Sequence, residues 1–312
     1  MVDYSVYSNG HLKSAVQKFV RRGMAEDAAA TAVVLARRGQ PLFKRLPVIA
    51  AEDVGWEFVA PVFRACRESG EAGLFERTSE QVLSAVAKLA RALAQAPKDR
   101  DCIGLMGLGT LANERVPVSP AVPDLRAAIE KKDELLAMRH CERFVAGRQR
   151  RLVWDLFRLM ANERDGAIEA HVEAIRGESY LGVLPGDELI LMAAAIFAMT
   201  GSKEERAFPW EAADGAVSEP RDWLPWYVFD MHTKEGVEAK AQLAREGMDV
   251  ARLNDLWWFW ESSLTQNEVG ELAQRERLER GYGDEAEWGL WRGRVRSLVE
   301  ESLRQAGLPR SS

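Results

Sequence analysis

The sequence predicts an all-α, multi-helix globular protein. Apolar residues recur at helical spacing along most of the 312 residues, and neither β-branched alternation nor a hairpin signal appears. Helix starts and stops can also be read from caps, glycines and prolines. Leu12, Val16, Phe19 and Val20 fall on one stripe, and Gly23 is a natural stop for that helix. Ala25 to Arg38 is alanine-rich and closes on Arg37-Arg38-Gly39, with cations in the last turn and a glycine after them. Pro41 starts a third helix, in which Pro47 predicts a bend or a second start. Thr78 or Ser79 can cap a helix running to about Ala94, with Val82, Val86, Leu89 and Leu93 on one face and Pro97 ending it.

From Cys102 the texture changes. Gly104, Gly107 and Gly109, then Pro117, Pro120 and Pro123, predict a loop or joint. Helices resume from Leu125 to about Arg176. Asp187 to Met199 predicts a short buried helix, Gly201 to Trp223 is irregular, and Val237 to Gln305 is again helical. These readings divide the chain into 1–105, a joint at 106–124, and a helical region over 125–312.

Composition excludes several classes. At 47% hydrophobic and 29% charged the chain reads as an ordinary soluble protein. Its longest apolar run, Leu189 to Met199, falls short of the ~20 residues of a membrane span. The polar start, Met1 to Gly10, carries no secretory signal. Three scattered cysteines (Cys66, Cys102, Cys141) with no CxxC pair suggest neither a disulfide framework nor a cysteine zinc site, so the expected location is the cytoplasm. A net charge of -6 argues against a general nucleic-acid coat. Yet residues 1–50 carry eight Lys/Arg against three acids, and a second basic stretch runs from Arg139 to Arg158. Lys18, Arg21, Arg22, Arg37, Arg38 and Arg45 are therefore candidate phosphate contacts, with DNA as a candidate partner; solvated helix faces are the plainer reading.

Three stretches, in order, resemble one family. Ser14-Ala-Val-Gln-Lys-Phe-Val-Arg-Arg-Gly23 is similar to its "SA.QK..RG" helix. Arg45-Leu46 followed by Ala50-Ala51-Glu52-Asp53-Val54-Gly55 is similar to its "RRL...A.EDVG" segment, and Ala94-Gln-Ala-Pro97-Lys98 to its "ALAPKS". The family is that of the RarA/MgsA replication-associated ATPases, and the resembling region, residues 9 to about 105, is its C-terminal helical domain. The resemblance implies a clamp-loader-collar-like fold that self-associates, with replication or repair proteins as partners. Two departures stand out: Pro47 lies inside a helix, and the spacing before Glu52 is about two residues shorter than in the family. Trp226 to Gly236 resembles small stand-alone relatives of that domain.

No stretch forms a recognisable catalytic or metal constellation, and no cofactor is expected. Gly104-Leu-Met-Gly107-Leu-Gly109-Thr110 lacks the Gly-Lys-Ser/Thr and the preceding strand of a phosphate loop, so no ATPase activity is expected from it. Glu52 and Asp53 are adjacent, and neighbours on a helix do not share a face. They read as a structural turn before Gly55, one acid pairing with an arginine such as Arg45 and the other accepting backbone N–H groups. Asp230-Met-His232-Thr233 is the best local candidate for chemistry, with Gly236 allowing close approach of a ligand. The plainer reading has Asp230 or Thr233 capping a helix and His232 bonded in the core. Trp257-Trp258-Phe259-Trp260 cannot all face one core, so Trp257, Trp258 and Trp260 are interface candidates. The expected function is a non-catalytic helical accessory protein in DNA replication, recombination or repair. The alternatives are a DNA-binding module on the N-terminal basic helices and an enzyme centred on Asp230 and His232.

Overall fold

The computed structural model describes residues 4–40, 42–72, 79–163, 172, 185–201, 208–210, 213–215, 219, 223–230, 232–260, 270–281 and 285–309, with backbone only at 43, 44, 69–72, 258–260 and 285. The described residues are helical and contain no strand. Helix α1 (Asn9–Arg21) starts at Ser8, whose hydroxyl accepts from His11 N while His11 Nδ1 accepts from Ser8 N. Its predicted stripe, Leu12, Val16, Phe19 and Val20, is fully buried. The chain turns at Gly23, whose φ of 69° is a conformation that favours glycine. α2 (Ala25–Arg37) follows, and its small residues Ala28, Ala29 and Ala32 let it lie close against α1 and α5 (Glu80–Gln95). α5 is capped by Ser79, whose hydroxyl accepts from Val82 N; Thr78 and Pro41 lie outside the described residues.

α3 (Leu42–Ile49) contains Pro47, which brings no N–H to the helical ladder. The chain then widens into a π-turn over Ala50–Val54, closed by Gly55 N donating to Ala50 O at 2.8 Å. A 3₁₀ turn (Trp56–Phe58) leads into α4 (Val59–Ala72).

The glycine-rich stretch corrects the sequence reading. Gly104, Gly107 and Gly109 lie inside α6 (Asp101–Arg115), where their missing side chains make room for neighbours. Non-helical chain spans only 116–121 before α7 (Val122–Glu130), α8 (Glu134–Ala146) and α9 (Arg150–Asn162). α10 (Pro185–Thr200) is buried continuously from Ile190 to Thr200 and packs on α3, α6, α7 and α8, as expected of a helix apolar on every side. After a 3₁₀ turn (Trp226–Val228) come α11 (Lys234–Arg245), α12 (Val250–Trp260), α13 (Glu271–Glu279) and α14 (Glu285–Gln305). One hydrophobic cluster runs from Tyr4 to Leu303. Most of the predicted irregular stretch, 201–223, lies outside the described residues, and no described helix is long and apolar enough to cross a membrane.

Candidate functional site

The polar face of α1 carries Gly10, Ser14, Gln17, Lys18 and Arg21 at spacings of three and four, so these residues share one side of the helix. Arg21 is its anchor. Arg21 Nε donates to Asp53 Oδ1 at 2.7 Å, and Nη2 donates to Asp53 Oδ2 at 3.2 Å and to Glu52 Oε1 at 3.1 Å. Gln17 Nε2 donates to Asp53 Oδ2 at 3.1 Å. Arg100, just before α6, brings Nε to 3.4 Å from Asp53 Oδ1 and Nη2 to 3.7 Å from Glu52 Oε1. Burial alone would raise the Asp53 carboxyl, but the Arg21 and Arg100 charges outweigh it and hold the group below the usual carboxylate range. Arg100 is pushed down by its burial and by the nearby Arg21 charge.

Two expectations change here. Glu52 and Asp53, though adjacent, turn to the same guanidinium, because the wider π-turn replaces regular α-helical spacing. Their principal partner is Arg21 and not Arg45. Arg45 Nη2 donates to Gln17 Oε1 at 2.6 Å and lies 3.7 Å from Glu52, while Nη1 donates to Asp187 Oδ1 at 3.0 Å. Gly55 completes the turn at φ 156° and ψ 150°, a region all but closed to residues with a Cβ.

One turn along α1, Lys18 Nζ donates to Asp230 Oδ2 at 2.6 Å. Burial pushes the lysine down, against the pull of Asp230. The Asp230 carboxyl, which burial would raise, is held low by Lys18 and by the His232 backbone N–H, which donates to Oδ1 at 2.9 Å. Asp230 thus holds the chain ahead of α11 and does not orient the His232 ring. Thr233 is the N-cap, its hydroxyl accepting from Gly236 N at 3.2 Å. His232 is exposed, correcting its expected core position. His11, by contrast, is buried, and its Nε2 meets Glu235 Oε2 at 3.0 Å.

These elements enclose a cleft of about 930 Å³. Lys13, Lys18, Arg21, Arg45 and Lys234 line it against three carboxylates, Glu52, Asp187 and Asp230, with apolar wall from Ile103, Met106 and Ile190. The candidate phosphate contacts therefore do not form one solvated face. Lys18 and Arg21 are each 3% exposed and ion-paired. Arg22 stacks on the Tyr227 ring at 3.9 Å, Arg38 donates to the Tyr4 and Tyr7 carbonyls, and Arg37 is exposed. Trp257 is buried; the side chains of Trp258 and Trp260 lie outside the described residues.

Sequence reasoning did not find Gln17, Arg100, Asp187 or Glu235. Arg100 follows the third resembling block by two residues and was within reach. Asp187 and Glu235 join the site through contacts spanning more than a hundred residues, for which local sequence carries no signal. Among the described residues no three His, Cys, Asp or Glu side chains gather as a metal ion would need. Comparisons with protein-family models, with curated proteins and with solved structures find no match for this chain.

Proposed function

We propose that the protein is a non-catalytic helical accessory factor of DNA replication, recombination or repair. It acts by self-association and by docking on a replication ATPase or clamp loader. One observation carries this reading: the three stretches that resemble the RarA/MgsA collar region fold onto one another. Arg21 of the first binds Glu52 and Asp53 of the second. Lys98, closing the third, caps α5 by donating to the Leu93 and Ala94 carbonyls, and Asp99 N donates to Val54 O at 2.9 Å. The quoted residues are thus one structural knot, the kind of constraint that would keep them together in a shared fold.

A second observation favours association. Leu152 and Leu159 are 45% and 51% exposed, seven residues apart on one face of α9, while Val153, Trp154, Phe157 and Met160 fill the core. Two exposed leucines two turns apart, with the Asp155 carboxylate between them, suit a small helix-to-helix contact.

Light scattering across a concentration series, with binding to a purified clamp loader and a purified RarA-type ATPase, tests the reading. A concentration-dependent oligomer weakened by Leu152→Arg, or capture of either ATPase, is expected. A strictly monomeric chain that binds neither overturns it.

A further inference from the structure

The cleft carries an imbalance that the docking reading does not use. Its carboxylates are committed: Glu52 to Arg21, Asp187 to Arg45, and Asp230 to Lys18 and the His232 amide. Its donors are not. Lys18 gives Asp230 one of its three N–H groups. Arg21 spends Nε and Nη2 on Asp53 and Glu52, and its Nη1 meets no acceptor among the described residues. Both side chains are more than nine-tenths buried and line the cleft wall. Lys13, half-buried beside them, has no ion-pair partner among the described residues.

Field and size point the same way. The N-terminal ends of α1, α10 and α11 all border the cleft, through Ser8 and Gly10, Gly186 and Asp187, and Thr233 and Lys234. Each such end carries roughly half a positive charge. Among the described residues five Lys/Arg side chains line the cleft with three carboxylates, and Glu238 lies 3.8 Å from Lys234, so the site stays net positive by one charge, that of Lys13, in an acidic protein. A phosphate monoester brings about -1.5 to -2 charges and three acceptor oxygens, which suit the spare donors of Lys18, Arg21 and Lys13 better than the two oxygens of a carboxylate do. The volume of about 930 Å³ lies within the ~300–1,000 Å³ of small-molecule sites.

We propose that this cleft binds a small phosphate monoester of nucleotide size. Lys18 Nζ, Arg21 Nη1 and Lys13 take the phosphate, and Ile103, Met106 and Ile190 receive the less polar body. The inference rests on the lining of the cleft and not on the replication reading, so either can fail without the other.

Isothermal titration calorimetry on the full chain at low ionic strength, with inorganic phosphate, AMP, adenosine and a 5′-phosphorylated single-stranded oligonucleotide, tests it. AMP is expected to bind more tightly than inorganic phosphate, and adenosine not to bind. Lys18→Gln strips Asp230 of its partner and endangers the fold, so Lys13→Gln carries the test; it should weaken AMP about tenfold, the loss of one charge-assisted contact. Heat from neither phosphate nor AMP overturns the proposal, as does adenosine binding as tightly as AMP. An AMP affinity unchanged by Lys13→Gln places the ligand elsewhere and also overturns it. Binding of the oligonucleotide without AMP would make the cleft a nucleic-acid contact instead.

Discussion

Arg21 Nε lies 2.7 Å from Asp53 Oδ1, with the two residues 3% and 0% exposed. The pair ties the last turn of α1 to the π-turn after α3, and Arg100 joins it from the start of α6. A buried charge costs several kcal/mol unless it is paired and hydrogen-bonded, so neither partner is tolerable alone. A packing of α1 that separated the two charges would leave both buried and unpaired, which is costly.

Removing one partner should therefore cost far more than removing both. Asp53→Ala is expected to lower unfolding free energy by about 3–5 kcal/mol, seen as a lower urea midpoint with an unchanged slope. The double variant Arg21→Met, Asp53→Leu should recover much of that loss, since Arg100 and Glu52 still face each other at 3.7 Å. A double variant no more stable than Asp53→Ala would refute this account of the pair.

The same cluster sets the acid limb of stability. Asp53 and Asp230 both have native pKa values below the usual aspartate value of 3.8, so above that pH each contributes stability. As pH falls through 3.8 the unfolded chain takes up protons first, and the contribution is gone once the native carboxyls are also protonated. Lys18 has the opposite sign. Its lowered pKa costs stability at neutral pH, and the cost fades as pH rises toward 10.5. Asp53→Asn should flatten the acid limb of a denaturation series below pH 3.8. An acid limb of unchanged steepness would mean that other carboxylates dominate it.

The segment around His232 separates a structural role from a chemical one. Thr233→Ala removes the cap of α11 and should cost about 1 kcal/mol. His232→Ala, at an exposed ring, should fall within about 0.5 kcal/mol of the parent. Thermal melts of the two variants check this, and a His232 variant as damaged as the Thr233 one would contradict it.

What the sequence made legible was local. The α1 stripe, the Ser79 cap, the Gly23 stop and the apolar α10 obey rules that act within a few residues, and each reappears in the fold. Glu52 and Asp53 stood out from the start, but their geometry did not. Regular helical spacing separates neighbours, and the π-turn that reunites them after Pro47 is invisible to a 3.6-residue period. The cleft was harder still. Lys18 looks like a solvated cation until Asp230, 212 residues later, is placed beside it. The α6 glycines misled for a related reason: glycine marks both flexible loops and close helix contacts, and only the tertiary partner tells which.

For Gly109 that partner is α8; for Gly104 and Gly107 it is α13, which gives the last prediction. Asp101 Oδ1 accepts from Leu272 N at 2.8 Å and from Ala273 N at 3.2 Å, capping α13 from a neighbouring helix. Three residues along α6, on the same face, a Cβ on Gly104 would stand 2.3 Å from Ala273 N and 2.6 Å from Ala273 Cα. Those are backbone atoms, which cannot swing aside as a side chain does, so Gly104→Ala must displace the start of α13. At Gly107 the obstacle is the Glu276 carboxylate, which can rotate away. Gly104→Ala is therefore expected to cost about 1–3 kcal/mol by overpacking, and Gly107→Ala less, despite equal gains in helix propensity. Hydrogen exchange should show the Gly104 variant losing protection over 271–279 while α1 and α5 keep theirs. Protection of α13 equal in both variants would mean that the contact yields more easily than its geometry requires.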